Sequence, residues 1–274
     1  MTSLTTSKHI SRSIGIFAVI LNLFLSLNFS SCTHHSDEVL AKDKDLLWKL
    51  AESSFQKGDW YSARLYYEKF QRFYPQSHNA SIARLRLADA YYQEFKYGEA
   101  EVHYDNFIEL HPTHPDVPYA WFQLALSQKR QVPDVMARDL SKAKDAMVSF
   151  QKYLSLPNMN PRMRPLAESH YQELETVLLH KELKIAGWYY KTGRYLSAFQ
   201  RHEYALKHFG HLKEKMMEPL FEAVAHMGVS AIQLKDKNRL EKTKDILKDF
   251  TMHRRYQKTN NWIQSIKTES WKDQ

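Results

Sequence analysis

The chain has 274 residues and a formal charge of +8. At 43% hydrophobic and 13% aromatic it is too apolar for a disordered chain, and its single cysteine excludes an internal disulfide framework. Only 7 glycines and 9 prolines are present, and strand-like alternation is scarce, so the composition predicts an all-α fold.

The first segment reads as a leader. Met1 to Ser13 carries Lys8 and Arg12 and no acid, and Ile14 to Phe29 is a nearly unbroken apolar run. A basic start, a short apolar middle and small residues at the end describe a secretory signal peptide over residues 1–31. A membrane span needs about 20 apolar residues, and Asn22 and Asn28 interrupt this shorter run. Phe29-Ser30-Ser31-Cys32 resembles a bacterial lipobox, with phenylalanine where leucine is usual. Two readings of Cys32 stand: a stray thiol behind an ordinary signal peptide, or a lipidated anchor carrying S-diacylglycerol and N-acyl (palmitate-type) chains. The second explains both its position and its lack of a disulfide partner. Each buried CH2 adds roughly 0.8 kcal/mol, so three chains would anchor firmly. Thr33 stands where lipoprotein sorting reads an aspartate as inner-membrane retention, which favours the outer membrane. Removal of the leader takes Lys8 and Arg12 with it and lowers the charge to +6. Export argues against nucleic acid as the partner of that charge. Residues 32–44 are expected to form a flexible tether.

From there the chain repeats itself. Leu50-Ala51 recurs as Leu87-Ala88, and Ala63, Tyr67, Phe70 and Pro75 recur as Ala100, Tyr104, Phe107 and Pro112, always 37 residues apart. In each unit an alanine on a second helix follows the first helix's alanine by twelve positions, and aromatics follow at four and seven more, on one helical face. Small residues let two antiparallel helices approach closely, aromatics fill the groove, and proline stops the second helix. This is the tetratricopeptide pattern, lengthened from its usual 34 residues. A third unit starts at Trp121, Leu124 and Ala125 and continues with Ala146, Phe150 and Tyr153 after an insertion of nine residues in QKRQVPDVMARD. A long segment from Pro165 to Tyr190 opens a fourth unit, in which Gly193 precedes Ala198 by five, as Gly58 precedes Ala63. A fifth runs from about Met216 to Phe250, and Trp262 to Trp271 is expected to add a capping helix. Each unit leaves an apolar face that only a neighbour can bury, so the expectation is a solenoid of about five antiparallel helix pairs.

Several stretches resemble the BamD/ComL family of lipoproteins. FIELHPTHPDVPYAWFQLAL carries that family's His-Pro-x-His-Pro turn between its second and third repeats. ARDLSKAKDAMVSFQKY is similar to its third repeat, with an aspartate before the alanine helix. AGWYYKTGRYLSAFQRHEYALKHF is similar to its fourth, with paired tyrosines, a turn glycine and an arginine eight positions later. The resemblance covers nearly the whole chain after Cys32. It implies an accessory protein of the β-barrel assembly machine at the periplasmic face of a Gram-negative-type outer membrane. The N-terminal repeats 1–3 (45–160) would face unfolded outer-membrane proteins. Repeats 4–5 (161–252) would dock on the POTRA domains of the barrel subunit, with 253–274 as a tail or cap and other assembly lipoproteins as further partners.

That reading singles out residues. Lys49, Ser53, Arg84, Arg86, Tyr91 and Tyr92 would offer cations and aromatic faces to substrates ending in an aromatic residue and a carboxylate; the alternative is repeat packing and solvated charge. Arg194 and Arg201, seven apart, would share a helical face toward the barrel subunit, where a bidentate pair with a carboxylate is the expected contact. For these, too, a surface arginine covering apolar neighbours is the plainer alternative. His34-His35, His111 and His114 lack the array of ligands that zinc needs, so no metal is expected. No phosphate loop or nucleophile elbow occurs, and Glu173 and Glu175 diverge on their helix, so neither catalysis nor a cofactor is expected. A general periplasmic repeat adaptor organising cell-wall enzymes is the alternative; the HPTHP turn and the insertion favour assembly. A lipid-anchored hydrolase would need a polar site that the sequence does not show.

Overall fold

A computed structural model of the protein describes residues 43–133, 139–269 and 271. The leader, Cys32, His34-His35 and most of the tether lie outside the described residues, as do residues 134–138 of the inserted loop. Among the described residues there are eleven α-helices and no strand, the all-α helix-pair fold of the tetratricopeptide type. The chain divides into two compact units, one up to Val117 and one from Pro118. The third repeat therefore packs with the fourth and fifth, and the expected division by partner at 160/161 is not a packing boundary.

The first unit holds α1 (Lys44–Gln56), α2 (Trp60–Phe73), α3 (Ala80–Gln93) and α4 (Tyr97–Leu110). Asp43 and Asp59 start α1 and α2 by accepting from the backbone N–H of Leu46 and Ser62, which satisfies two of the amides that a helix start leaves open. The repeat residues Ala51, Ala63, Tyr67, Phe70, Ala88, Ala100, Tyr104 and Phe107 are all fully buried. Each buried tyrosine finds an acid one position after the first-helix alanine. Tyr67 donates to Glu52 at 2.6 Å and Tyr104 to Asp89 at 2.7 Å, and these acids are themselves 37 residues apart.

The second unit holds α5 (Val117–Arg130, which begins at the boundary), α6 (Ser141–Ser155), α7 (Arg164–Lys191), α8 (Tyr195–Phe209), α9 (Met217–Leu234), α10 (Lys237–Leu247) and α11 (Tyr256–Gln264). Phe122 of α5 meets Phe150 and Tyr153 of α6 edge-on, at 5.9 and 5.3 Å between ring centroids. The clamp position changes here in a coordinated way. Where Leu126 replaces the acid, Phe150 replaces the tyrosine; where Gly187 replaces it, His202 does. In the fifth pair Gly228 and Leu240 stand at the two alanine positions, still twelve apart. The capping helix runs Tyr256–Gln264, so only Trp262, Ile263 and Gln264 of the expected Trp262–Trp271 span are helical; ahead of it the turn residue His253 stacks on Phe221 at 3.7 Å and brings the chain back early. Its buried Ile263 lies where a Cβ on Gly228 would stand, 3.0 Å from Ile263 Cδ1.

Four of the helix pairs turn in the same way. Gly58, Phe95, Gly193 and Lys235 each adopt positive φ, between 52° and 74°. In each, the following amide bonds to the carbonyl five residues back: Asp59 to Ser54, Lys96 to Tyr91, Arg194 to Tyr189 and Asp236 to Ala231. This left-handed cap consumes carbonyls that the helix end would otherwise leave open. Two of the four turns do it without glycine.

Candidate functional site

The residues expected to face substrate divide into two sets in the first unit. Lys49 is exposed and Ser53 half-buried on α1, one turn apart and so on one face. Arg86 stands 37 residues after Lys49 at the equivalent place on α3; its guanidinium lies 4.8 Å above the Phe55 ring and 3.4 Å from Asp89. These three form the outward-facing set. The others are drawn into packing. Tyr91 donates to Glu68 at 2.8 Å and stacks on His103 at 4.8 Å. Arg64 spans Glu68 and Glu94 at 3.1 and 3.2 Å, and Lys96 holds Glu94 at 2.8 Å. Burial and the Glu68 charge push the Tyr91 phenol above its ordinary pKa. This network ties α2 to the end of α3, a job the sequence pattern did not reveal.

Arg84 serves the HPTHP turn. It donates to His111 Nε2 at 3.2 Å, and an arginine has only donors to offer, so that nitrogen accepts. His114 Nδ1 accepts from the Asp116 amide at 3.2 Å, which leaves Nε2 for Ser81 Oγ at 3.5 Å. The two histidines therefore clamp the turn to α3 and do not converge; burial and the Arg84 charge hold His111 below its usual pKa. Tyr92 instead packs edge-on against Tyr97 at 5.2 Å, and Phe95, 78% exposed, lies 6.2 Å from the same ring.

In the second unit Arg194 and Arg201 border an aromatic surface made by the end of α7 and by α8. Arg194 is the residue just before α8, and its guanidinium lies 5.1 Å over exposed Trp188. Arg201 donates to Glu182 of α7 at 2.9 Å and remains 45% exposed. Tyr189, Ser197, Gln200, Arg201 and Tyr204 line a shallow depression of about 360 Å³. Trp188, Leu196 and Tyr204 are exposed large side chains around it. Exposed Trp and Tyr with Arg is the side-chain set that dominates protein–protein binding energy. The shared arginine face expected from spacing alone is modified: Arg194 stands at the helix entrance, on Trp188, while Arg201 is held from α7.

Among the described residues no three His, Cys, Asp or Glu side chains gather closely enough to hold a metal ion, and no helix is long and apolar enough to cross a membrane.

Comparison with known proteins adds to this geometry. A family model described as YfiO, outer membrane lipoprotein, matches residues 40–241. The outer membrane protein assembly factor BamD of Xylella fastidiosa is 23% identical over 261 residues, covering 91% of this chain and 86% of its own length. The proteins of the same name from Caulobacter vibrioides and Neisseria meningitidis are 27% and 26% identical. They cover 57% and 67% of this chain, and 51% and 74% of themselves.

Proposed function

The chain is a BamD-type member of the YfiO outer membrane lipoprotein family, and from that premise we propose that it is a non-catalytic scaffold for the assembly of outer-membrane β-barrels. Its relatives are outer membrane protein assembly factors. In this reading Cys32 carries the lipid that holds the protein to the periplasmic face of the outer membrane. The α7–α8 surface binds the POTRA region of the barrel subunit, and the outward face of α1 and α3 engages unfolded barrel substrates. Other assembly lipoproteins complete the complex.

The observation that carries the proposal is the α7–α8 surface. Trp188 and Tyr204 stand exposed beside Arg194 and Arg201, although burying such rings within the chain would be favourable. Arg201 uses one N–H on Glu182 and keeps donors for a second carboxylate. Arg201→Glu should abolish measurable binding to the POTRA region. That variant also sets two carboxylates together, so the exchange Arg201→Glu with Glu182→Arg is the decisive companion. The exchange should restore thermal stability without restoring POTRA binding, as read by titration calorimetry and melting curves. Wild-type affinity in both variants would remove this surface from the complex.

A further inference from the structure

α8 carries a second face, roughly half a turn around the helix from Arg201, and it is unlike the first. Phe199, Glu203, Leu206 and Lys207 lie along it, and Gly210 follows where the helix ends. They look across a groove to α10, and both helices rest on α9. Glu203 and Lys242 form an ion pair across the middle. At one end, in a cavity of about 330 Å³, the charges are paired with one another. There Asp236 caps α10 by accepting from the Arg239 amide, and the Arg239 side chain pairs back with Asp236.

The other end is different. A cavity of about 320 Å³ has a floor of half-buried Leu206 and Ile246 over buried Phe250. Its rim includes Lys207 and Lys213, neither of which makes an ion pair among the described residues. Two acids line it with them: Glu203, already held by Lys242, and Asp249. We propose that this groove is a second docking site and takes a peptide segment in which one bulky apolar side chain is flanked by carboxylates.

The occupant follows from size and charge. The cavity, about 320 Å³, is on the scale of a side chain, whereas a stable dimer needs a face burying roughly 800 Å² per partner. A second copy would also bring the same net positive charge, +8 over the full chain. The two unpaired ammonium groups select acids on either side of the anchor. A bare polyanion would use the lysines and leave the apolar floor empty. Because the groove and the Arg201 surface lie on different faces of α8, both can be occupied at once, and this proposal stands or falls independently of the POTRA contact.

The test is fluorescence anisotropy on the full chain in detergent, with a labelled synthetic peptide of Glu and Ser around one central Phe. Saturable binding is expected, weakened about tenfold or more when Phe becomes Ser or when Glu becomes Lys. Lys207→Glu with Lys213→Glu should lower affinity at least as much at an unchanged melting temperature. Lys207→Ser with Lys213→Ser serves if the reversal unfolds the protein, and Arg201→Glu should have no effect. The proposal fails if the wild type shows no saturable binding or if the Ser peptide binds equally, which would mean attraction by charge alone. It also fails if the lysine variants bind normally, or if Arg201→Glu weakens the peptide as much as they do.

Discussion

A tyrosine can be buried at little cost only if its hydroxyl keeps a partner. Tyr67 and Tyr104 meet that condition through Glu52 and Asp89, and burial together with the Glu52 charge drives the Tyr67 phenol far above its usual pKa. The arrangement is asymmetric, because Tyr67 is wholly enclosed while Glu52 is half-buried and can turn to water. Glu52→Ala should therefore destabilise by roughly 1–3 kcal/mol, whereas Tyr67→Phe should cost less. The double variant should cost less than the sum of the two, as measured by denaturant unfolding. Strict additivity would mean the hydroxyl and carboxylate do not depend on each other. The acid was legible in principle, since Glu52 and Asp89 obey the same 37-residue offset as the aromatics. It was missed because a charged residue on an amphipathic helix reads as solvated until its partner is located in space.

At the scale of the helix pair, the second turn of the chain is made by an unsuited residue. Phe95 takes φ of 60°, where a side chain's Cβ crowds the following carbonyl, and its ring is mostly in water. Phe95→Gly should raise stability by about 1 kcal/mol, and Gly193→Ala should lower it by a similar amount, read as opposite shifts in melting temperature. A fall for Phe95→Gly would show that contact with the Tyr97 ring outweighs the backbone strain. Helix pairs of this kind are the most legible part of the molecule. Ala51, Ala63, Ala88 and Ala100 declare the close approaches by spacing alone, and all four are buried. The turn glycines at 58 and 193 declare two of the left-handed caps. Phe95 and Lys235 could not be recognised as the other two, because nothing in an isolated Phe or Lys marks positive φ. The candidate site was less legible still. Tyr91, Arg84 and Arg201 are set by partners distant in sequence, at Glu68, His111 and Glu182.

For the molecule as a whole, burial holds His103, His111, His170, His202 and His226 below the ordinary imidazole pKa, with neighbouring cations adding to the shift at several of them. His202 is the most extreme, at about 4, through burial first and the nearby His226 second. A depressed pKa means that the unfolded chain binds protons the folded chain refuses. Stability is therefore complete above about pH 6.5 and drains away as pH falls toward 4, by roughly 3 kcal/mol from His202 alone. His202→Phe, the choice already made at position 150, should flatten that slope in pH-dependent melts. An unchanged slope would assign the acid sensitivity to the other four. The proposed anchor belongs to the same scale: the wild type should incorporate labelled palmitate and Cys32→Ser should not, and equal incorporation by that variant would reject lipid attachment at that residue.

The exchange of sizes at Gly228 and Leu240 has a consequence for the chain's history and its engineering. Where the first two units carry alanine at both positions, the last carries nothing on one side and a full aliphatic side chain on the other, with Ile263 seated against the gap. The segments are thus addressed, each written for its own station. An array built by copying the fifth unit end to end, or by moving it forward in the order, would set leucine where alanine is wanted and leave the seat for Ile263 unfilled. Whatever duplication produced the 37-residue period, the joint at this end has since become private, and a graft between relatives would have to take α9, α10 and α11 together.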